Sequence, residues 1–192
     1  MTDKEIIFQV QNGNTNAFRF LVDQHKNLVW HMVIRMVRLE HEAEDLSQEI
    51  FMRVFRDIKR FRGDSKLSTW IGSIAYNVCI DFIRKKGREQ TDLHEDPALL
   101  ASDNLSDESA SKLIHKAEMK EIIHGIIEAM PLHYRTVITL FHLEEMSYKE
   151  IGDITGMPEG TIKSYLNRGR QMIQDKIIKL VPDIRTVMYE VN

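Results

Sequence analysis

Residues 144–170 read EEMSYKEIGDITGMPEGTIKSYLNRGR, and the order of residue types in this stretch predicts two short helices joined by a tight turn. Ser147 followed three residues on by Glu150 is a capping box, in which each residue satisfies an unpaired backbone N–H of the other, so a helix is expected to begin there. Gly152, beside the inward-facing Ile151, removes a side chain where two helices must approach closely. Gly156 supplies the left-handed backbone of a tight interhelical turn, and Pro158 suits the start of the next helix, where a missing N–H costs nothing. In that second helix Ile162, Leu166, Gly169 and Ile173 recur at spacings of four, three and four and define a buried side. The other positions, Thr161, Lys163, Ser164, Asn167, Arg168 and Arg170, combine groups that reach base edges with groups that clamp phosphates. Helical hairpins with a Gly turn are common. The coincidence of cap, small residue, turn glycine and polar-basic face is what points to duplex DNA.

Upstream of this stretch the apolar periodicity is helical throughout. Phe18, Leu21, Val22, Leu28, Val29, Met32, Val33 and Met36 predict one long helix over Ala17–Val37, after a turn at Asn12-Gly13-Asn14. A second is expected from about Glu42 to Phe61, with Leu46, Ile50, Val54, Phe55 and Ile58 on one face, and a third from about Ser68 to Lys86. Residues 89–109 carry Pro97, several Ser and Asp and little periodicity, the composition of a flexible linker. Beyond it helices are expected over Ala110–Met130, Leu132–Leu143, Tyr148–Thr155 and Glu159–Leu180. The expected fold is all-α: two small helical domains, residues 1–88 and 110–192, joined by an acidic linker at 89–109.

The 192 residues carry a net charge of −3, which taken alone argues against a nucleic-acid binder, but the charge is segregated. Between Met52 and Arg88, Arg53, Arg56, Lys59, Arg60, Arg62, Lys66, Arg84, Lys85, Lys86 and Arg88 face only Asp57, Asp64 and Asp81. Between Glu89 and Ser111 there are seven acidic residues and no Lys or Arg. Phosphate attraction acts within a Debye length of about 8–10 Å, so a basic face binds DNA even on an acidic chain. No apolar run approaches the roughly 20 residues a membrane helix needs, and the N-terminus lacks a basic segment followed by an apolar one, so a cytoplasmic protein without membrane insertion is expected. The single cysteine, Cys79, sits in an apolar helical stretch without an activating neighbour and reads as a small buried hydrophobe. Glu121 and His124 have the Glu-x-x-His spacing of a di-iron bundle, but no second pair exists, and His41-Glu42 lacks the second His of a zinc protease helix. No catalytic group, metal or cofactor is therefore expected.

The stretch AEDLSQEIFMRVFRDIKRFRGDSKLSTWIGSIAYNVCIDFIRKK, Ala43–Lys86, closely resembles region two of the extracytoplasmic-function sigma factors of bacterial RNA polymerase, and the helix-turn-helix resembles their region four. The resemblance covers most of the chain outside the linker and the extreme ends. It implies a non-enzymatic factor that binds core polymerase, recognises promoter DNA and starts transcription. Asp45, Gln48 and Glu49 form a polar, acidic patch suited to a protein partner, by resemblance the clamp helices of the β′ subunit. Arg62, Asp64, Ser65, Lys66 and Trp70 combine phosphate binders, hydrogen-bonding groups and an aromatic, as capture of unstacked bases requires. The resemblance assigns this loop and helix, with Asn77, Asp81, Arg84 and Lys85, to the minus-ten promoter element. It assigns Thr161, Lys163, Ser164, Asn167, Arg168 and Arg170 to the minus-thirty-five element, with the second domain resting on the β flap. Tyr76 and Tyr165 stand where members of the family often carry Arg. A cognate anti-sigma factor is a further family expectation. The rival reading is a helix-turn-helix regulator that acts without polymerase; it leaves the Ala43–Lys86 motif unexplained.

Overall fold

The computed structural model describes residues 2–91 and 116–180, and all regular elements among them are helical. The chain opens with α1 (Asp3–Gln11), which the apolar pattern did not announce. Its capping box pairs Thr2 with Glu5: the Glu5 N–H donates to Thr2 Oγ1 at 3.4 Å and the Thr2 N–H to Glu5 Oε2 at 2.8 Å. After the expected turn, α2 (Thr15–Val37) is capped by Asn14, whose side-chain oxygen accepts from the N–H groups of Asn16 and Ala17. α3 (Glu40–Asp57) tightens into a 3₁₀ turn at Ile58–Arg60, and α4 (Leu67–Thr91) continues three residues beyond the boundary expected at 88. Leu21, Val29, Met32 and Val33 of α2 meet Ile50 and Val54 of α3 and Ile71, Ala75 and Val78 of α4, all buried, while Ile6 and Val10 of α1 close the end. Apart from Ala75, each of these side chains stabilises the bundle by about 1.5–3 kcal/mol relative to exposure. Phe55 departs from expectation. It is 46% exposed, because it lies about 100° around the helix from the buried Val54, and its ring meets Phe18 edge-on with centroids 4.8 Å apart.

The second half comprises α5 (Lys116–Glu128), α6 (Leu132–Ile138), α7 (Tyr148–Thr155) and α8 (Glu159–Leu180). The helix expected over Leu132–Leu143 changes character midway: Thr139–Leu143 is a widened turn in which the Glu144 N–H reaches back to the Thr139 carbonyl at 3.2 Å. Val137, Ile138, Leu140, Ile151, Ile162 and Leu166 build the core of this half. The acidic linker expected at 89–109 lies outside the described residues apart from its first three, which belong to α4.

The two halves share one apolar core. α7 packs on α4, and a Cβ added to Gly72 of α4 would lie 2.8 Å from Ile154 Cδ1, so the glycine is what lets the helices approach. Arg135 of α6 is 4% exposed and donates to the carbonyl oxygens of Arg35 and Met36 at the end of α2, and to those of Glu128 and Met130. No helix among the described residues is long and apolar enough to cross a membrane.

Candidate nucleic-acid interface

The helix-turn-helix forms as its residues dictate. The Glu150 N–H donates to Ser147 Oγ at 3.3 Å and the Ser147 N–H to Glu150 Oε2 at 2.8 Å, which starts α7 at Tyr148. Gly156 ends it with φ of +73°, in the left-handed region, and its N–H donates to the Gly152 carbonyl at 2.8 Å. A Cβ at Gly152 would come within 3.2 Å of the Met157 carbonyl oxygen, so the turn closes tightly only over glycine. Pro158 sits one residue ahead of α8, where its carbonyl accepts from the Thr161 and Ile162 N–H groups at 2.9 and 3.1 Å. Its service is therefore as an acceptor that begins the helix as well as a residue without a donor.

In α8, Ile162, Leu166 and Gly169 are buried, and a Cβ at Gly169 would meet Ile138 Cγ1 at 3.1 Å. At about 100° per residue, Ser164 then points directly away from that core with Asn167 and Arg168 to either side of it, and all three are exposed. Thr161 and Lys163 flank them, the Lys163 ammonium lying 5.3 Å from the Tyr148 ring centroid. Arg170 is set apart: its guanidinium lies 5.3 Å from the Phe141 ring centroid, and its Nε donates to His142 Nε2 at 3.2 Å. Burial and the Arg170 charge together lower the His142 pKa, which keeps that ring an acceptor. Tyr165 packs into the core cluster against His133 and Tyr134 rather than joining the outward face.

The first half carries a second basic face. Gly63, with φ of +81°, turns the loop between α3 and α4, on which Arg62, Asp64 and Lys66 are exposed and Ser65 donates to the Lys66 carbonyl at 3.3 Å. Gln11 of α1 holds the base of this loop: its Nε2 donates to the Ile58 carbonyl at 2.9 Å and lies 3.5 Å from that of Phe61. No local sequence pattern marks Gln11 for that task, because its partners lie about fifty residues away. Trp70, half-buried, rests against Phe61 with ring centroids 5.1 Å apart and so is neither wholly core nor wholly surface. Along α4, Trp70, Asn77, Asp81, Arg84 and Lys85 fall on one stripe, and the last four are exposed. Lys86 turns aside, its ammonium 3.5 Å from Glu42 and 5.6 Å from the Phe82 ring centroid. Tyr76 is half-buried off the stripe, and burial raises its hydroxyl pKa against the opposing charge of Arg84.

Asp45, Gln48 and Glu49 stand exposed on α3, Glu49 accepting from Arg53 at 2.6 Å. Met52 completes the i, i+3, i+4, i+7 set with them and is 73% exposed, with Phe55 a further turn along. That spacing was available in the sequence as the sign of an apolar extension to the patch.

Burial pushes the Cys79 thiol up to about 12, so it is a protonated, inert core group. His124 Nδ1 lies 2.9 Å from Arg35 Nη2, a cationic neighbour unsuited to a metal ligand, and no group of His, Cys, Asp or Glu among the described residues is placed to hold a metal ion.

Comparison with known proteins matches the same two halves. The Sigma-70 region 2 family model covers residues 21–89 and the Sigma-70, region 4 model residues 120–173. The ECF RNA polymerase sigma factor SigW of Bacillus subtilis is 35% identical, over 92% of this chain and 97% of its own length. The RNA polymerase sigma-H factor of Pseudomonas aeruginosa is 32% identical over 92% and 94%, and the ECF RNA polymerase sigma-E factor of Escherichia coli K12 is 31% identical over 94% and 97%. Among solved structures the fold is similar to CnrH in complex with the cytosolic domain of CnrY, with TM-score 0.63 and 18% identity over 90% and 95% of the two chains. It is also similar to the sigma factor RpoE from Bartonella quintana in complex with the anti-sigma factor NepR, with TM-score 0.66 and 24% identity over 83% and 96%. Region models matched by both halves, and relatives of one kind matched over more than nine-tenths of the chain, place it in the ECF group of the sigma-70 family of sigma factors.

Proposed function

We propose that the chain binds core RNA polymerase in the cytoplasm and directs it to promoters, contributing no catalytic group of its own. The first domain, residues 1–88, docks on the β′ clamp helices through Asp45, Gln48 and Glu49, to which Met52 adds an apolar centre. It captures minus-ten bases with Arg62, Asp64, Ser65, Lys66, Trp70, Asn77, Asp81, Arg84 and Lys85. The second domain, residues 110–192, reads the minus-thirty-five duplex with α8 while resting on the β flap. Ser164, Asn167 and Arg168 reach the bases, and Thr161, Lys163 and Arg170 support the backbone contacts. A cognate anti-sigma factor is the partner that would keep such a factor in reserve.

The observation that carries this reading is the pairing of two different faces on one chain. The α3 face, exposed yet acidic and apolar, suits protein rather than DNA. It sits on the same small bundle as the basic stripe of α4. A regulator acting alone on duplex DNA has no use for it. Run-off transcription with core polymerase over a genomic promoter library tests the reading. Specific start sites that depend on the added protein are expected; promoter binding without any retention of core polymerase in a pull-down would instead favour the lone regulator.

A further inference from the structure

Two cations and two aromatic rings form a ladder along one flank of the helix-turn-helix. Lys163 Nζ lies 5.3 Å from the Tyr148 ring centroid, the Tyr148 and Phe141 rings stack at 5.3 Å with 16° between their planes, and the Arg170 guanidinium lies 5.3 Å from the Phe141 centroid. The cations belong to α8, whereas Tyr148 is the first residue of α7 and Phe141 lies in the widened turn before it. Both rings are half-buried and packed against the core, so the fold sets their positions; Lys163 and Arg170 are exposed. His142, next to Phe141, accepts from Arg170 Nε at 3.2 Å. That bond holds the guanidinium by its inner edge and leaves Nη1 and Nη2 for another acceptor.

Arg170 follows Lys163 by seven residues, about 20° short of two full turns, so both lie on one side of α8, about 10.5 Å apart along its axis. That side is turned roughly 100–120° from Ser164, the residue that points straight out. It faces the start of α7, and where the second helix of this motif enters a major groove the first crosses the sugar-phosphate backbone. Lys163 and Arg170 therefore stand on the phosphate side of α8, while Ser164 and its neighbours face the base edges. A long side chain gives up rotamer freedom when it is fixed on a phosphate, and one already resting on a ring has given up part of it beforehand. A cation over an aromatic face keeps its charge and its outward N–H donors.

We propose that Tyr148 and Phe141, assisted by His142, are positioning residues that hold Lys163 and Arg170 ready for two phosphates of the minus-thirty-five duplex. The rings act on DNA only through the cations they carry, and the fixed pair sets the register in which α8 enters the groove. This inference rests on the assignment of α8 to that duplex and deepens it.

The test is binding of holoenzyme to a labelled promoter duplex recovered by run-off transcription, followed by fluorescence anisotropy across a salt series. Tyr148→Leu and Phe141→Leu should each weaken binding about two- to fivefold, the range of an accessible cation–ring contact. Neither should change the slope of log K against log salt, because the same phosphates are met. Lys163→Met should weaken binding and also flatten that slope by about 0.9. Tyr148→Phe keeps the ring and should bind within about twofold of wild type. In a Lys163→Met background Tyr148→Leu should lose most of its effect, and in Arg170→Met so should Phe141→Leu; a general loss of folding would persist in both backgrounds. The proposal is overturned by ring effects that stay undiminished in the methionine backgrounds, or by a Tyr148→Phe loss as large as that of Tyr148→Leu, which would make the hydroxyl itself the contact. A wild-type holoenzyme that holds no promoter defeats the assignment of α8 and the clamp with it, whereas intact binding without coupling defeats the clamp alone.

Discussion

Arg135 Nη2 donates to the carbonyl oxygen of Met36 at 3.2 Å, so a guanidinium from the second half closes the C-terminal end of the central helix of the first. The last carbonyls of a helix carry partial negative charge and lack partners within the helix, which makes a buried cation favourable there. Burial, followed by the charges of Arg38 and Arg35, lowers the Arg135 pKa to about 10, and the side chain remains protonated at neutral pH. Arg135→Leu strands four carbonyl oxygens. Urea denaturation should show a loss of about 3 kcal/mol, only partly recovered in Arg135→Lys, which cannot fork toward two helices.

The Glu150 carboxyl is held down at about 2, first by its hydrogen bond to Lys66 and then by those to Ser147. Its folded value lies below the ordinary 4.5, so its contribution to stability is complete above that pH and is lost as pH falls toward 2. Carbon-detected titration of the Glu150 carboxyl should give a midpoint near the lower figure, and in Lys66→Met the midpoint should move up toward 4.5. An unchanged midpoint in the variant would show that Lys66 does not reach Glu150 in solution.

On α8 the outward face and the flank should separate in binding experiments with holoenzyme. Arg168→Ala is expected to weaken promoter binding by about tenfold or more and to relax sequence preference, as loss of a base contact does. Arg170→Ala should cost less, because that side chain already lies along Phe141 and His142. Fluorescence anisotropy at two salt concentrations distinguishes the roles, since loss of a phosphate contact also flattens the salt slope.

Met52→Asp should weaken association with core polymerase by at least about tenfold, the effect of an anchor lost from the centre of an interface. Circular dichroism and thermal stability should stay near wild type, because Met52 is 73% exposed and supports no core neighbour. Full transcription by this variant would remove the α3 face from the polymerase contact.

Local grammar was legible wherever neighbours in sequence settle the structure. Ser147 with Glu150, Gly156, and the series Ile162, Leu166 and Gly169 act within one or two turns, so their order foretold α7, the turn and the buried side of α8. Even the unannounced α1 carried its own signal in Thr2 and Glu5, hidden by a short and weakly patterned helix. Phe55 escapes the apolar pattern because a residue adjoining Val54 sits about 100° around the helix from it, off the buried face. What stayed illegible was the seam. Gly72 reads as an indifferent helical glycine until Ile154 is seen against it, and Lys66 reads only as a phosphate binder until Glu150 is placed beside it. Both depend on partners eighty residues away, which periodicity does not report.

Cys79 lies at 0% exposure on the inner side of α4, next in sequence to Val78 of the shared core. A thiol reagent can therefore modify the wild-type protein only when the packing around α4 opens. The chain thus contains its own clock: the labelling rate of one natural atom times the opening of the shared core.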